Sequence, residues 1–362
     1  MNRWRWVMRM AAVLAAAVVV TVFVQPVRVR LVAAVTVAEA LDVPVARPFA
    51  VSVERRSAVV GGVSGDLYHP GTSAPGVVLV PGATPAGVDD ARVVRLAWAL
   101  ARSDRAVFVP ALALYGQELR PDDVDRIVLA AAALSGDDRG PVSLVGISFG
   151  GSLCLLAAAD ARLDGRLAQV ATFGAYFDLI GVVQAATTGV SLVGGDRIAW
   201  DADPRAYDIV RDRLIQLLPP AQQRPARRAL AGDVNPDQLT PSALAVYRIL
   251  TNEDPARTRP LAAELPATIR HRIAEVSPSS VAERLDVSIV ALHATDDPVV
   301  PFGELLRLGA AVPRAELITV DSFDHVDIDL ASPGGWFAAV DDLWNSWRFA
   351  TAILNSQEGW WP

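Results

Sequence analysis

Four short, mostly apolar runs at residues 77–80, 106–110, 142–147 and 169–173 are separated by three stretches with helical spacing. A strand with few polar positions on either face is buried on both sides. Such strands pair in parallel sheets, and their crossovers need a helix between neighbours. The intervening stretches supply those helices. Residues 89–103 carry Val93, Val94, Leu96, Ala97, Leu100 and Ala101 as an apolar face. Residues 121–134 open with Pro121 followed by acids in the first turn, and residues 149–160 form the third helix. The order β-α-β-α-β-α-β restricts the fold to the α/β class, with a parallel sheet and right-handed crossovers.

The alternation has flanks and one interruption. Ahead of it, residues 49–54 and 63–68 alternate on either side of Gly61-Gly62, a hairpin signal. It resumes late in the chain with strands at 287–293 and 315–320 and helices at 302–311 and 336–355. Residues 180–284 carry proline-rich loops and helical stretches at 206–218, 242–252 and 267–276, with no convincing strand pair. The expected organisation is an N-terminal segment (1–41), a core in two pieces (48–179 and 285–356) and a helical cap inserted between them (180–284).

Composition excludes several function classes. Of 362 residues, 52% are hydrophobic and 20% charged, enough for a large core and too apolar for a disordered chain. The 33 basic residues are all Arg, and against 40 acids they leave a net charge of −7. With no basic cluster outside the N-terminus, nucleic acid is not an expected partner. The single cysteine, Cys154, excludes an intrachain disulfide and a cysteine zinc cluster.

Residues 10–24 are an uninterrupted apolar run preceded by Arg3, Arg5 and Arg9, with Trp4 and Trp6 at interfacial positions. A helix from Trp6 to Val24 would span roughly 28 Å, close to the thickness of a bilayer core. The reading is a single N-terminal membrane anchor with the bulk of the chain extracytoplasmic, following the excess of Arg before the run. The alternative is a secreted protein after signal cleavage, but the small-x-small site Ala38-Glu39-Ala40 lies well beyond the run.

Gly146-Ile147-Ser148-Phe149-Gly150 matches G-x-S-x-G at the junction of an apolar strand and a helix, the context that motif requires. A sharp turn there lifts the serine hydroxyl above the sheet. The next amide, that of Phe149, faces a developing oxyanion in the field of a helix N-terminus. Serine needs a base. Among four histidines, His325 follows the last strand, in the late-chain position of a triad base; His69 and His271 read as structural or surface residues and His293 as a core histidine. The acid belongs after the preceding strand, where Asp296 and Asp297 both stand. The second oxyanion donor belongs in Pro81-Gly82-Ala83-Thr84-Pro85, with the Ala83 amide first and Thr84 second. Asp321, Asp324, Asp327 and Asp329 surround His325 without a second histidine at ligand spacing, so they read as solvated loop acids and no metal is expected.

These residues resemble the α/β-hydrolase superfamily. Gly146–Gly150 is similar to its nucleophile elbow. His293-Ala294-Thr295-Asp296-Asp297-Pro298-Val299-Val300-Pro301 is similar to the H-G-x-x-D-x-x-V-P segment of the dienelactone-hydrolase-like and prolyl-oligopeptidase-like branches. In that register the acid is Asp297. The resemblance implies a mostly parallel sheet of about eight strands flanked by helices, an acyl-serine intermediate and no cofactor. Pro81 stands where the family often has His, and Ala294 where Gly is common. Ser148 stands where dienelactone hydrolases proper carry Cys, so that particular activity is not implied. The expected function is a serine hydrolase with catalytic Ser148, Asp297 and His325, and with the Phe149 and Ala83 amides as oxyanion donors. It would cleave an ester or thioester of a small, hydrophobic acyl substrate. The alternatives are a peptidase or amidase of the same fold, or a catalytically silent, membrane-anchored protein that retains it.

Overall fold

The computed structural model describes residues 25–40, 43, 51–71, 73–116, 120–136, 139–321, 323–324, 327–328 and 335–355. Strands β1 (Glu54–Val60), β2 (Val63–His69), β3 (Gly76–Val80), β4 (Ala106–Pro110), β5 (Val142–Ile147) and β6 (Leu167–Phe173) come first in the chain. A small hairpin, β7 (Val190–Val193) and β8 (Asp196–Ala199), follows, and then β9 (Ile289–Ala294) and β10 (Glu316–Val320). Eight of these strands form one sheet in the order β1-β2-β4-β3-β5-β6-β9-β10. β2 is antiparallel to both β1 and β4, and every other neighbour is parallel.

Alternation along the strands divides the core between two faces. Val78, Val80 and Leu144 pack with Ile127 of α3 (Pro121–Leu134) and Leu153 of α4 (Phe149–Ala158). Val77, Leu79 and Val145 face the other way, toward Val93 and Leu100 of α2 (Ala91–Arg102) and Ile353 of the C-terminal helix α12 (Gly335–Asn355).

The first strand lies later than the alternation at 49–54 indicates. Gly61 and Gly62 both have left-handed φ values, 58° and 83°, and form a two-residue turn whose strands must abut it. Glu54, Arg55 and Arg56 obscure the signal, but β1 is an edge strand and tolerates charge.

A second difference concerns residues 25–40, read above as part of a separate N-terminal segment. They form helix α1 (Gln25–Ala40), which packs on α2 and α12 through Ala33 and Val37 against Ala350 and Leu354. The Thr36 and Ser103 hydroxyls are 2.7 Å apart, Arg102 pairs with Glu39, and the Trp347 indole donates to the Arg30 carbonyl at 2.7 Å. The anchor expected at residues 10–24 lies outside the described residues. Among those described, no helix is long and apolar enough to cross a membrane.

The insertion has its own core, in which Ile215, Val246, Ile249, Leu261 and Ile269 are buried together. Its helices are α5 (Leu179–Thr188), α6 (Arg205–Gln216), α7 (Pro220–Leu230), α8 (Pro241–Leu250), α9 (Thr258–Glu264) and α10 (Ala267–Glu275). The absence of strands expected there is corrected by β7–β8, which turns on Gly194-Gly195 with φ values of 61° and 101°. This is the same Gly-Gly signal as at 61–62.

A buried ionic chain ties this cap to the core. Glu304, on α11 (Gly303–Ala311), accepts from the amides of Phe177 and Asp178 at 3.0 and 2.6 Å and from Arg307 Nε at 3.0 Å. Arg307 also donates to Gln184 Oε1 at 2.8 Å, and Gln184 Nε2 donates to the Pro255 carbonyl at 2.7 Å. Burial pushes the Glu304 carboxyl up from 4.5 to about 7, against the opposing pull of Arg307. Between those two values the folded chain holds a proton that the unfolded chain has released. Stability therefore falls as pH rises through that window, by about 3 kcal/mol in total from this group. Urea unfolding at pH values across the window should show Glu304→Gln flattening that slope relative to wild type; identical slopes would contradict it.

Candidate active site

The turn from β5 into α4 is built so that only glycine fits around one serine. A Cβ on Gly146 would lie 2.4 Å from the Gly151 Cα, and one on Gly150 would lie 2.3 Å from the Val80 carbonyl oxygen. Ser148 itself has φ 52° and ψ −131°, one of two non-glycine residues with positive φ among those described. Such a conformation stores strain and persists only where its surroundings over-determine it. Here the Ser148 amide donates to the Phe173 carbonyl at 2.6 Å and the Ser148 carbonyl accepts from Gly151 at 2.9 Å. These bonds fix the turn between β6 and α4.

The loop after β3 closes on the same serine. A Cβ at Gly82 would fall 2.9 Å from the Ser148 Cβ and 3.5 Å from its Oγ, so glycine there permits the close approach. Ala83 and Thr84 line the cavity that Ser148 also lines. The loop is pinned where Thr84 Oγ1 donates to Asp90 Oδ2 at 2.6 Å; Asp90 in turn caps α2 by accepting from the Arg92 amide at 2.9 Å. The Arg92 guanidinium beside Asp90 holds its carboxyl well below the usual carboxylate range. Phe149 opens α4, its ring set edge-on to Tyr176 at 5.3 Å.

The two aspartates after β9 point in opposite directions. Asp296 is exposed, whereas Asp297 is fully buried. Asp297 Oδ1 accepts from the amides of Val299 and Val300 at 2.8 and 2.9 Å, and its Oδ2 lies 3.5 Å from His293 Nε2. The Trp200 indole of the cap donates to its carbonyl at 2.7 Å. His293 is a buried core residue whose Nε2 lies 3.0 Å from the Val300 carbonyl, an acceptor only, so Nε2 carries a proton. Thr295 bridges the ends of β9 and β10: its amide donates to the Val320 carbonyl at 2.9 Å and its hydroxyl to Asp321 at 2.7 Å. Since β5, β9 and β10 run parallel, Ser148, Asp297 and the chain leaving Val320 share one edge of the sheet. His325 lies outside the described residues.

The remaining histidines have local roles. His69 Nδ1 accepts from the Gly71 amide at 2.8 Å, and exposed His271 lies 3.4 Å from Glu275. Among the described residues no cluster of His, Cys, Asp and Glu is arranged to hold a metal.

Ser148 borders a cavity of about 890 Å³, at the upper end of the range of small-molecule sites. Arg92, Leu96 and Leu100 all line it, so it follows α2 for roughly 12 Å. Val145, Phe349 and Ile353 form apolar wall, and Val37 and Ala40 of α1 close on it beside the far end of α2. Sequence reasoning missed these contributions from α1 and α12. It also missed Arg205, Ile209 and Arg213 of α6, whose four-residue spacing was the available signal.

The alpha/beta hydrolase family model matches residues 77–340, most of the chain, and the chain belongs to that family. No curated protein matches it. Among solved structures it is similar to EstE5 soaked with p-nitrophenyl butyrate, with 14% identity and a TM-score of 0.48 over 85% of this chain and 87% of that one. It is similar to a membrane phospholipase A described as a bacterial virulence factor, with 17% identity and a TM-score of 0.43 over 95% and 99%. A meta-cleavage product hydrolase from Pseudomonas fluorescens IP01 gives 20% identity and a TM-score of 0.40 over 80% and 97%.

Proposed function

We propose that this chain is a serine hydrolase that cleaves an ester or thioester of a hydrophobic acyl substrate through an acyl-serine intermediate. The observation that carries the reading is Ser148 held at φ 52° on a strand-to-helix turn and bordering a largely apolar cavity. Ser148 Oγ attacks the acyl carbon while His325 takes its proton, and the tetrahedral oxyanion draws on the Phe149 and Ala83 amides. His325 then protonates the leaving alkoxide or thiolate. Water, deprotonated by His325, attacks the acyl-serine and returns the serine hydroxyl. Asp297 orients His325 and stabilises the imidazolium, a role its burial and fixed Oδ1 support. A largely apolar wall of Leu100, Val145, Phe349 and Ile353 favours an acyl chain over an extended peptide. The test is turnover of p-nitrophenyl esters of graded chain length. The expected result is kcat/KM rising from acetate to a medium-length chain and falling beyond it; no turnover of any member would overturn the reading.

We further propose that residues 10–24 anchor the chain in a membrane. Their run ends at Val24, immediately before α1, whose far end lines the cavity. The full-length chain should then stay with membranes through carbonate extraction, and recovery of the intact, uncleaved chain in the soluble fraction would rule the anchor out.

A further inference from the structure

We infer that the acyl substrate carries an anionic group, a phosphate or a carboxylate, held at the cavity mouth by the cap's Arg205 and Arg213 together with Arg95 of α2. This rests on the hydrolase reading above and names the substrate class for the same cavity. The charge distribution carries it. The chain as a whole has 33 basic and 40 acidic residues, yet among the described residues four arginines and a single acid, Asp90, line this cavity. Asp90 and Arg92 neutralise one another, since Asp90 accepts from the amide and the side chain of Arg92 as well as from Thr84, so the net positive lining is Arg95, Arg205 and Arg213.

The cap helix adds a second observation. Arg205, Ile209 and Arg213 fall at four-residue intervals on α6, so they form one stripe along its cavity side. Ile209 is 49% exposed although it is apolar and lines the cavity. Arg205 shares Asp203, whereas Arg213 donates to neutral Gln216 Oε1 at 3.0 Å and makes no ion pair among the described residues. An apolar residue set between two guanidinium groups, above a wall of Leu100, Val145 and Ile353, matches a molecule with an alkyl chain and a charged head. The planar guanidinium fork pairs in bidentate fashion with phosphate and carboxylate.

The experiment is calorimetric titration of the full-length chain with decyl phosphate, decanoate and neutral decyl glucoside, each below its micelle threshold. The expected result is at least one anionic ligand binding about tenfold or more tighter than the glucoside, with the preference shrinking as salt rises. Arg205→Gln/Arg213→Gln should bring the three ligands within about twofold of one another, Arg213→Gln alone should give an intermediate value, and Arg228→Gln, on the cap away from the cavity, should keep the full preference. Which anion binds more tightly distinguishes a phosphate from a carboxylate headgroup. Equal binding of all three by wild type, or a preference that survives the double variant, would overturn the inference. Loss of the hydrolase reading registers separately, as a chain that binds decyl phosphate but turns over no ester.

Discussion

Ser148→Ala should lower kcat on any accepted ester by roughly 10⁴–10⁶ while the chain folds as before. The expectation rests on what the substitution removes. Alanine keeps the Cβ and leaves the amide and carbonyl bonds to Phe173 and Gly151 in place, so the turn at φ 52° survives. Only the hydroxyl that borders the cavity is lost, and with it the acyl-serine. Steady-state kinetics with circular dichroism and thermal melts on both proteins provide the check. Turnover near the wild-type rate by a folded variant would remove Ser148 from the mechanism.

The second large effect separates two adjacent carboxylates. Asp297→Asn should cost about 10³–10⁴ in kcat, because an amide cannot stabilise an imidazolium and favours the wrong tautomer. Its Oδ1 can still accept from Val299 and Val300, so the loop should hold. Asp296→Asn, at an exposed position, should cost little beyond a few tenths of a kcal/mol of stability. Both variants are compared on one ester at saturating substrate, with circular dichroism on each. A larger loss from Asp296→Asn would move the acid one residue upstream. Equal, small losses would point elsewhere, and Asp178 is a poor substitute because it caps α5 and pairs with Arg259.

Much of this architecture is legible in the residues. The strands at 106–110 and 142–147 and the helix at 121–134 match the sequence reading residue for residue. Fully buried strands and a proline-started helix leave little freedom in placing their ends. The nucleophile turn is equally clear, since its glycines sit at fixed spacing around the serine, Gly146 against the local backbone of Gly150 and Gly151 and Gly150 against the backbone of Val80 and Pro81. What was not legible depends on tertiary placement. β1 carries three consecutive charges that only an edge position tolerates. Helix α1 has a stripe of small apolar residues whose purpose emerges only where it meets α12. The cap's arginine stripe could be read as a solvated helix face until α6 is set over the cavity. The choice between Asp296 and Asp297 rests on a resemblance in the sequence, and only the fold shows that Asp297 is buried while Asp296 is exposed.

The most direct test of the central claim is covalent. The purified full-length chain is treated with a fluorophosphonate, digested, and mapped by mass spectrometry. The expected result is one adduct per chain, on Ser148, lost in Ser148→Ala and blocked by prior incubation with an ester substrate. A folded chain that takes no label, or that carries it on another serine such as buried Ser152, whose hydroxyl donates to the Tyr176 carbonyl, would contradict a nucleophile at Ser148.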